Sequence, residues 1–133
     1  MTLHAFTDGA SRGNPGDAGI GVVIKTDEGT VIVQERKYLG KATNNVAEYT
    51  ALIVCLEKIQ SLQCSQLIIH SDSELMVKQM NGEYKVKDVN LKLYFMKAKD
   101  MLRSASYSCI IRHIPRSLNK EADILANEGI DFR

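Results

Sequence analysis

The sequence predicts an α/β domain with the element order βββαβααβα, and three observations carry that reading. Three apolar runs near the start, Leu3–Asp8, Ile20–Ile24 and Thr30–Leu39, are joined by short, glycine-bearing connections, the pattern of an antiparallel meander. A long stretch of helical apolar spacing then precedes the run Gln66–Asp72, so this strand can return parallel to the first. Two further helical stretches lead to a last strand, Tyr107–His113, and a final helix opens at Lys120.

The 133 residues, 44% of them hydrophobic, suffice for one domain, 1–133, with a real core. A formal charge of +1 provides no global field for a polyanion. Cys55, Cys64 and Cys109 are an odd set without a close pair, so neither a zinc site nor a disulfide framework follows. They fit packed, reduced thiols in a reducing compartment. There is no basic segment followed by a long apolar run, and no stretch nears the roughly 18 apolar residues of a membrane span. The expectation is a single soluble cytoplasmic domain without repeats or linkers.

In the first strand, Phe6 and Asp8 share one face and Ala5 and Thr7 the other. Asp8 thus stands at the strand end beside an aromatic core candidate. Gly13, Gly16, Gly19 and Gly21 follow, with Asn14-Pro15 between the first two. A strand comes next, not a helix, which excludes the dinucleotide and P-loop readings and leaves a hairpin loop. Thr30–Leu39 follows the turn Asp27-Glu28-Gly29 and completes the meander.

Thr43 and Asn44 are good N-caps for a helix whose apolar stripe is Leu52, Cys55, Leu56, Ile59 and Leu62. Glu48, four residues before Leu52, falls on that stripe. Two readings stand: a carboxylate held by a cation on a buried face, or a first-turn glutamate favoured by the helix dipole. Asp72 ends the fourth strand and is either a site carboxylate beside Asp8 or the N-cap of the helix Ser73–Asn81, which Gly82 stops. The next helix carries a core stripe of Leu91, Tyr94, Phe95, Ala98, Met101 and Leu102. Seven Lys/Arg against three Asp/Glu lie between Lys78 and Arg103, a solvated face able to meet a phosphate backbone. In the final helix, Asp123 lies one and two turns before Ala126 and Ile130 and borders the apolar face. His113 precedes it by ten residues, across the loop Ile114–Asn119. Four carboxylates, Asp8, Glu48, Asp72 and Asp123, therefore sit at the edges of core elements, an arrangement suited to divalent metal ions.

Thr7-Asp8-Gly9-Ala10-Ser11 with Gly13-Asn14-Pro15-Gly16, then Thr43-Asn44-Asn45 with Glu48, Ser71-Asp72-Ser73, and Asn119-Lys120-Glu121-Ala122-Asp123 together resemble ribonuclease HI, in order, over Thr7 to Asn127. The resemblance implies the ribonuclease H-like fold, a five-stranded mixed sheet of three antiparallel and two parallel strands with helices on both faces. It implies endonucleolytic hydrolysis of the RNA strand of RNA–DNA hybrids, leaving 5′-phosphate and 3′-hydroxyl ends. Asp8, Glu48, Asp72 and Asp123 would bind Mg²⁺ or Mn²⁺, two ions with substrate bound, which hard carboxylate oxygens suit. Asp8 would be the shared ligand. His113 would assist proton transfer or product release, with Arg116 as its substitute.

The resemblance further implies that Glu48 and the backbone at Gly9, Ala10 and Ser11 read the 2′-OH, the local mark of an RNA strand. Asn14, Thr43, Asn44 and Asn45 would hold the hybrid's phosphates, with weak sequence preference. The chain lacks Trp and has only Asn81–Asp88 where many bacterial members carry a basic protrusion, so it is similar to the shorter branch. Lys85 and Lys87 would partly replace the protrusion, and hybrid affinity would be lower. Glu74 stands where the family often places a substrate-contacting glutamine, and Ile114-Pro115-Arg116 replaces a glycine-rich loop. No protein partner is required, and the expected state is a monomer. The alternative is a weakly active or non-catalytic nucleic-acid-binding module on the same fold.

Overall fold

Strands β1 (Thr2–Gly13), β2 (Gly16–Thr26) and β3 (Val31–Ala42) lead into helix α1 (Asn44–Ile59). Strand β4 (Gln66–Ser71), helices α2 (Glu74–Met80) and α3 (Val89–Arg103), strand β5 (Ser108–His113) and helix α4 (Lys120–Asp131) complete the chain. The computed structural model describes residues 1–133. The strands form one sheet in the order β3-β2-β1-β4-β5. β1–β2 and β2–β3 are antiparallel, and β1–β4 and β4–β5 are parallel. The expected order and mixed sheet are thus observed.

One face of the sheet carries the main core. Leu3, Ala5, Val22, Ile24, Leu67, Ile69 and Ile111 meet Leu52, Cys55 and Leu56 of α1 and the apolar sides of α2 and α3. Helix α1 is pressed between the sheet and α3, so it is buried nearly all round, from Ala47 through Leu56 except at Thr50. That placement explains why a glutamate in it can be buried at all. Thr43 caps α1 by accepting from the Val46 N–H at 3.2 Å. The helix ends at Ile59, so Leu62, expected on its stripe, lies beyond it.

The other face is covered by α4 over β1, β2 and β3. Gly19, expected in the hairpin loop, instead lies inside β2 together with Gly21, which falls in the expected strand Ile20–Ile24, and the turn itself lies between Gly13 and Gly16. Their role is close approach. A Cβ on Gly21 would collide with the Ala122 carbonyl oxygen, and one on Gly19 with that of Ala126. The helix backbone therefore rests directly on the strand. Phe6 also departs from expectation. It lies on the α4 face but outside the main core, half-buried, with its ring stacked on His70 at 4.5 Å. The core residues of β1 are Leu3 and Ala5, on the α1 face, because α4 does not extend over β4 beside Phe6.

Candidate active site

The last parallel pair between β1 and β4 is Thr7 with Ser71. The next residue on each strand is an aspartate, so Asp8 and Asp72 emerge side by side where the two strands part. Such a C-terminal strand end is where ligands gather in open α/β sheets. Asp72 is free for this because Ser73, not Asp72, caps α2, its hydroxyl accepting from the Met76 N–H at 3.3 Å.

Glu48 is brought in by a backbone contact. A Cβ on Gly9 would overlap the Ala47 carbonyl carbon and the Glu48 nitrogen, so only glycine lets α1 touch β1 here. The Gly9 N–H then donates to Glu48 Oε1 at 2.8 Å. Glu48 and Asp8 are each only 5% exposed. One oxygen from each of Asp8, Glu48 and Asp72 lies within 4.8 Å of the others.

Asp123 arrives from the first turn of α4, which the β2 glycines seat beside β1. Its carboxylate lines the same cleft as Asp8 and adds to the upward push on the Asp8 carboxyl. Its Oδ1 is 3.8 Å from Arg116 Nη2 and accepts from Asn127 Nδ2 at 3.3 Å. The loop before α4 is fixed by Asn119, 1% exposed, whose Nδ2 donates to the Thr7 carbonyl at 2.9 Å, one residue before Asp8.

These residues line an open cleft of about 440 Å³. Burial, then the charges of Glu48 and Asp72, push the Asp8 carboxyl up to about 9. Burial likewise raises Glu48 to about 8, opposed by the Gly9 N–H. Crowded, buried carboxylates hold protons when no cation is present. An all-oxygen donor set that gives up those protons suits a hard divalent cation. The residues present fit such an ion.

The cleft gathers Asp8, Gly9, Ala10, Ser11, Asn44, Glu48, Asp72, Arg116 and Asp123 from the expected set. Asn14, Thr43 and Asn45 line a neighbouring pocket of about 210 Å³, and Asn14 Oδ1 accepts from the Asn44 N–H at 3.0 Å. His113 is not part of the cleft lining. It ends β5 in register with Ser71, exposed. Glu74 pairs with Lys78 at 3.5 Å, and Lys85 and Lys87 are exposed after α2; none of the three lines the cleft. Arg12 and Asn127 do line it, and sequence reasoning passed over both. Asn127 stands four residues after Asp123 on a helix, a spacing that brings side chains together. Arg12 carried no such signal.

Strand order and an acidic cluster at the β1–β4 parting define a ribonuclease H-like domain. A family model described as reverse transcriptase-like matches residues 6–129. Ribonuclease HI of Halobacterium salinarum is 39% identical over 129 residues, covering 97% of this chain and 64% of that protein. The bifunctional protein Rv2228c of Mycobacterium tuberculosis is 42% identical over 132 residues, covering 98% of this chain and 36% of that one. Among solved structures, LC11 ribonuclease H1 in complex with an RNA/DNA hybrid is similar with a TM-score of 0.93 at 44% identity, covering 98% of this chain and 97% of that chain. The chain belongs to the ribonuclease H family. It spans less than two thirds of the length of the Halobacterium and Mycobacterium relatives.

Proposed function

We propose that this chain, acting as a single domain over residues 1–133, is a divalent-metal-dependent endonuclease. It hydrolyses the RNA strand of RNA–DNA hybrids, leaving 5′-phosphate and 3′-hydroxyl ends. The observation that carries this reading is the convergence of four carboxylates from β1, α1, β4 and α4 on one open cleft, in a chain similar to named ribonucleases H.

Asp8, Glu48, Asp72 and Asp123 would hold the metal, Mg²⁺ or Mn²⁺ and two ions with substrate bound. When bound, the metal supplies Lewis-acid stabilisation of the phosphoryl oxygens and a lower pKa for the attacking water. The remaining work falls to the chain itself. Glu48, held by the Gly9 N–H, keeps one oxygen fixed and leaves the other for the cleft. Because that N–H is already used, the 2′-OH is read by Glu48 with the backbone of Ala10 and Ser11. Arg116, which reaches the cleft, meets the scissile phosphate and the charge that develops on it. His113, which lies outside the cleft lining, is the weaker candidate for proton transfer. Asn14, Thr43, Asn44 and Asn45 hold phosphates flanking the cut, and Lys85 and Lys87 add long-range attraction. No base is read, so sequence preference is weak. The protein acts as a monomer without an obligate protein partner. Its three free cysteines suit the reducing cytoplasm, and none of its helices is long and apolar enough to cross a membrane.

The test is cleavage of a labelled RNA–DNA hybrid in Mg²⁺ and in Mn²⁺, with single-stranded and duplex RNA as controls. Wild type should cut the hybrid selectively, and Asp8→Asn should not cut it. A folded wild type that binds hybrid but cuts nothing in either metal would make this a binding module.

A further inference from the structure

Asp123 differs from Glu48 in the way it is held: its side chain is 30% exposed and meets no backbone N–H, whereas Glu48 is buried and bonded to the Gly9 N–H. Its orientation depends on side chains, and Arg116, 80% exposed at 3.8 Å, is a loose partner. The better-placed neighbour is Asn127. Its Nδ2 donates to the Asp123 carbonyl at 3.0 Å and to Asp123 Oδ1 at 3.3 Å.

An asparagine amide can present either its oxygen or its nitrogen to a neighbour. Turned the wrong way, Asn127 would set a carbonyl oxygen against the Asp123 carboxylate and repel it. Arg12 decides the matter. Its Nη2 donates to Asn127 Oδ1 at 3.2 Å, and its Nη1 donates to Asp131 Oδ1 at 2.5 Å. A guanidinium has donors only, so it can meet only the amide oxygen, and the amide NH₂ is left facing Asp123. Asp131, one turn beyond Asn127 on α4, holds the guanidinium in place.

We propose that Arg12 is a positioning residue for Asp123, acting through Asn127, and that Asp131 anchors it. The inference rests on Asp123 being a metal ligand. It ties the end of β1, which carries Asp8, to the helix that carries Asp123, so the two carboxylates are set relative to each other by one hydrogen-bonded chain. Partners of this kind, which orient a ligand without touching the metal, typically change metal affinity or activity by about 10- to 100-fold when removed.

The test measures Mn²⁺ binding to the substrate-free protein by calorimetry, alongside the Mg²⁺ dependence of kcat and KM on a hybrid. The proteins are wild type, Arg12→Ala, Arg12→Lys, Asn127→Ala, the double variant Arg12→Ala/Asn127→Ala, and Asp123→Asn. Thermal unfolding confirms that each is folded. Asn127→Ala should weaken Mn²⁺ binding about tenfold and raise the Mg²⁺ needed for half-maximal kcat by a similar factor, with KM for hybrid within about twofold. Arg12→Ala should do the same, and the double variant should be no worse than Asn127→Ala, because the two act in series. Arg12→Lys, which keeps one donor for the amide oxygen, should recover most of the binding. The proposal is overturned if Arg12→Ala leaves Mn²⁺ binding intact and instead raises KM with a shallower salt dependence, the behaviour of a phosphate contact. Additive losses in the double variant also overturn it. If Asp123→Asn binds Mn²⁺ like wild type, the underlying metal-ligand assignment has failed and the inference falls with it, a result separable from failure at Arg12 alone.

Discussion

The two sides of the cleft are built differently. On the α1 side, Glu48 is buried, seated by backbone-to-backbone contact at Gly9 and bonded to a backbone N–H. On the α4 side, Asp123 is partly exposed and steered by the side chains of Asn127 and Arg116. The first side has no freedom to adjust without moving a helix or a strand. The second can yield by rotating a side chain. In the proposed reaction a phosphodiester has to enter, be cut and leave, so a fixed wall facing an adjustable one is a workable division of labour.

The largest test of this contrast pairs Glu48→Gln with Asp123→Asn. The amide oxygen introduced by Glu48→Gln can still accept from the Gly9 N–H, so the fold is kept while the charge is lost. Cleavage should fall at least about 100-fold. Asp123→Asn should fall roughly tenfold and recover partly at higher Mg²⁺. Equal losses in a steady-state assay would erase the distinction between the two sides.

Gly9→Ala attacks the rigid side through the backbone. The added Cβ has nowhere to go except by parting β1 from α1, at a cost of about 1–3 kcal/mol. A displacement of about 1 Å at Glu48 would cost on the order of 100-fold in kcat. Denaturant unfolding and hybrid cleavage together should show both losses, and unchanged activity in a destabilised protein would mean that Glu48 tolerates displacement.

On the adjustable side, Arg116→Ala should lower kcat about tenfold, the weight of a charge-assisted contact worth roughly 1.5 kcal/mol. His113→Ala, outside the cleft lining, should stay within about twofold of wild type. The reverse ranking would show that the loop moves when substrate binds and brings the histidine in.

The smallest effect is on stability against pH. Asp8 is raised to about 9 and Glu48 to about 8, against about 4 in an unfolded chain. The folded form therefore binds more protons than the unfolded one between about pH 4 and 9, and stability falls as pH rises through that window. Metal-free protein should therefore have a lower Tm at about pH 8.5 than at about pH 5.5, read by thermal unfolding across that range. Saturating Mg²⁺ should flatten the fall, since the cation replaces the protons. A flat metal-free profile would mean that the cluster is ionised and well solvated.

Much of this was legible in the chain, for identifiable reasons. The meander, the helical stripe of α1 and the aspartate following β4 each follow from local periodicity and turn chemistry, which sequence displays directly, whereas β1 runs on to Gly13 past the expected end at Asp8 because it stays paired with β2. The four carboxylates stood out because acids at the margin of apolar patterns are costly without a purpose. The roles of Gly19 and Gly21 were not legible, because a glycine seat for a helix about 100 residues later has no local sign until the helix is in place. Phe6 misled for a related reason: strand alternation assigns faces but does not say how far α4 extends over one of them. Arg12 was hidden because its partners, Asn127 and Asp131, lie at |i−j| of 115 and 119.

The parting of β1 from β4 after Thr7 and Ser71 has a mechanical consequence. β1 is the central strand, hydrogen-bonded on both sides up to that point, and central paired strands are the last parts of a domain to open. Asp8 is thus mounted on the stiffest beam in the molecule, and Asp72 directly follows the end of the strand beside it. Their thermal wander is confined to a few side-chain torsions, and the spacing that the proposed cations would match is set by the sheet as if by a ruled scale.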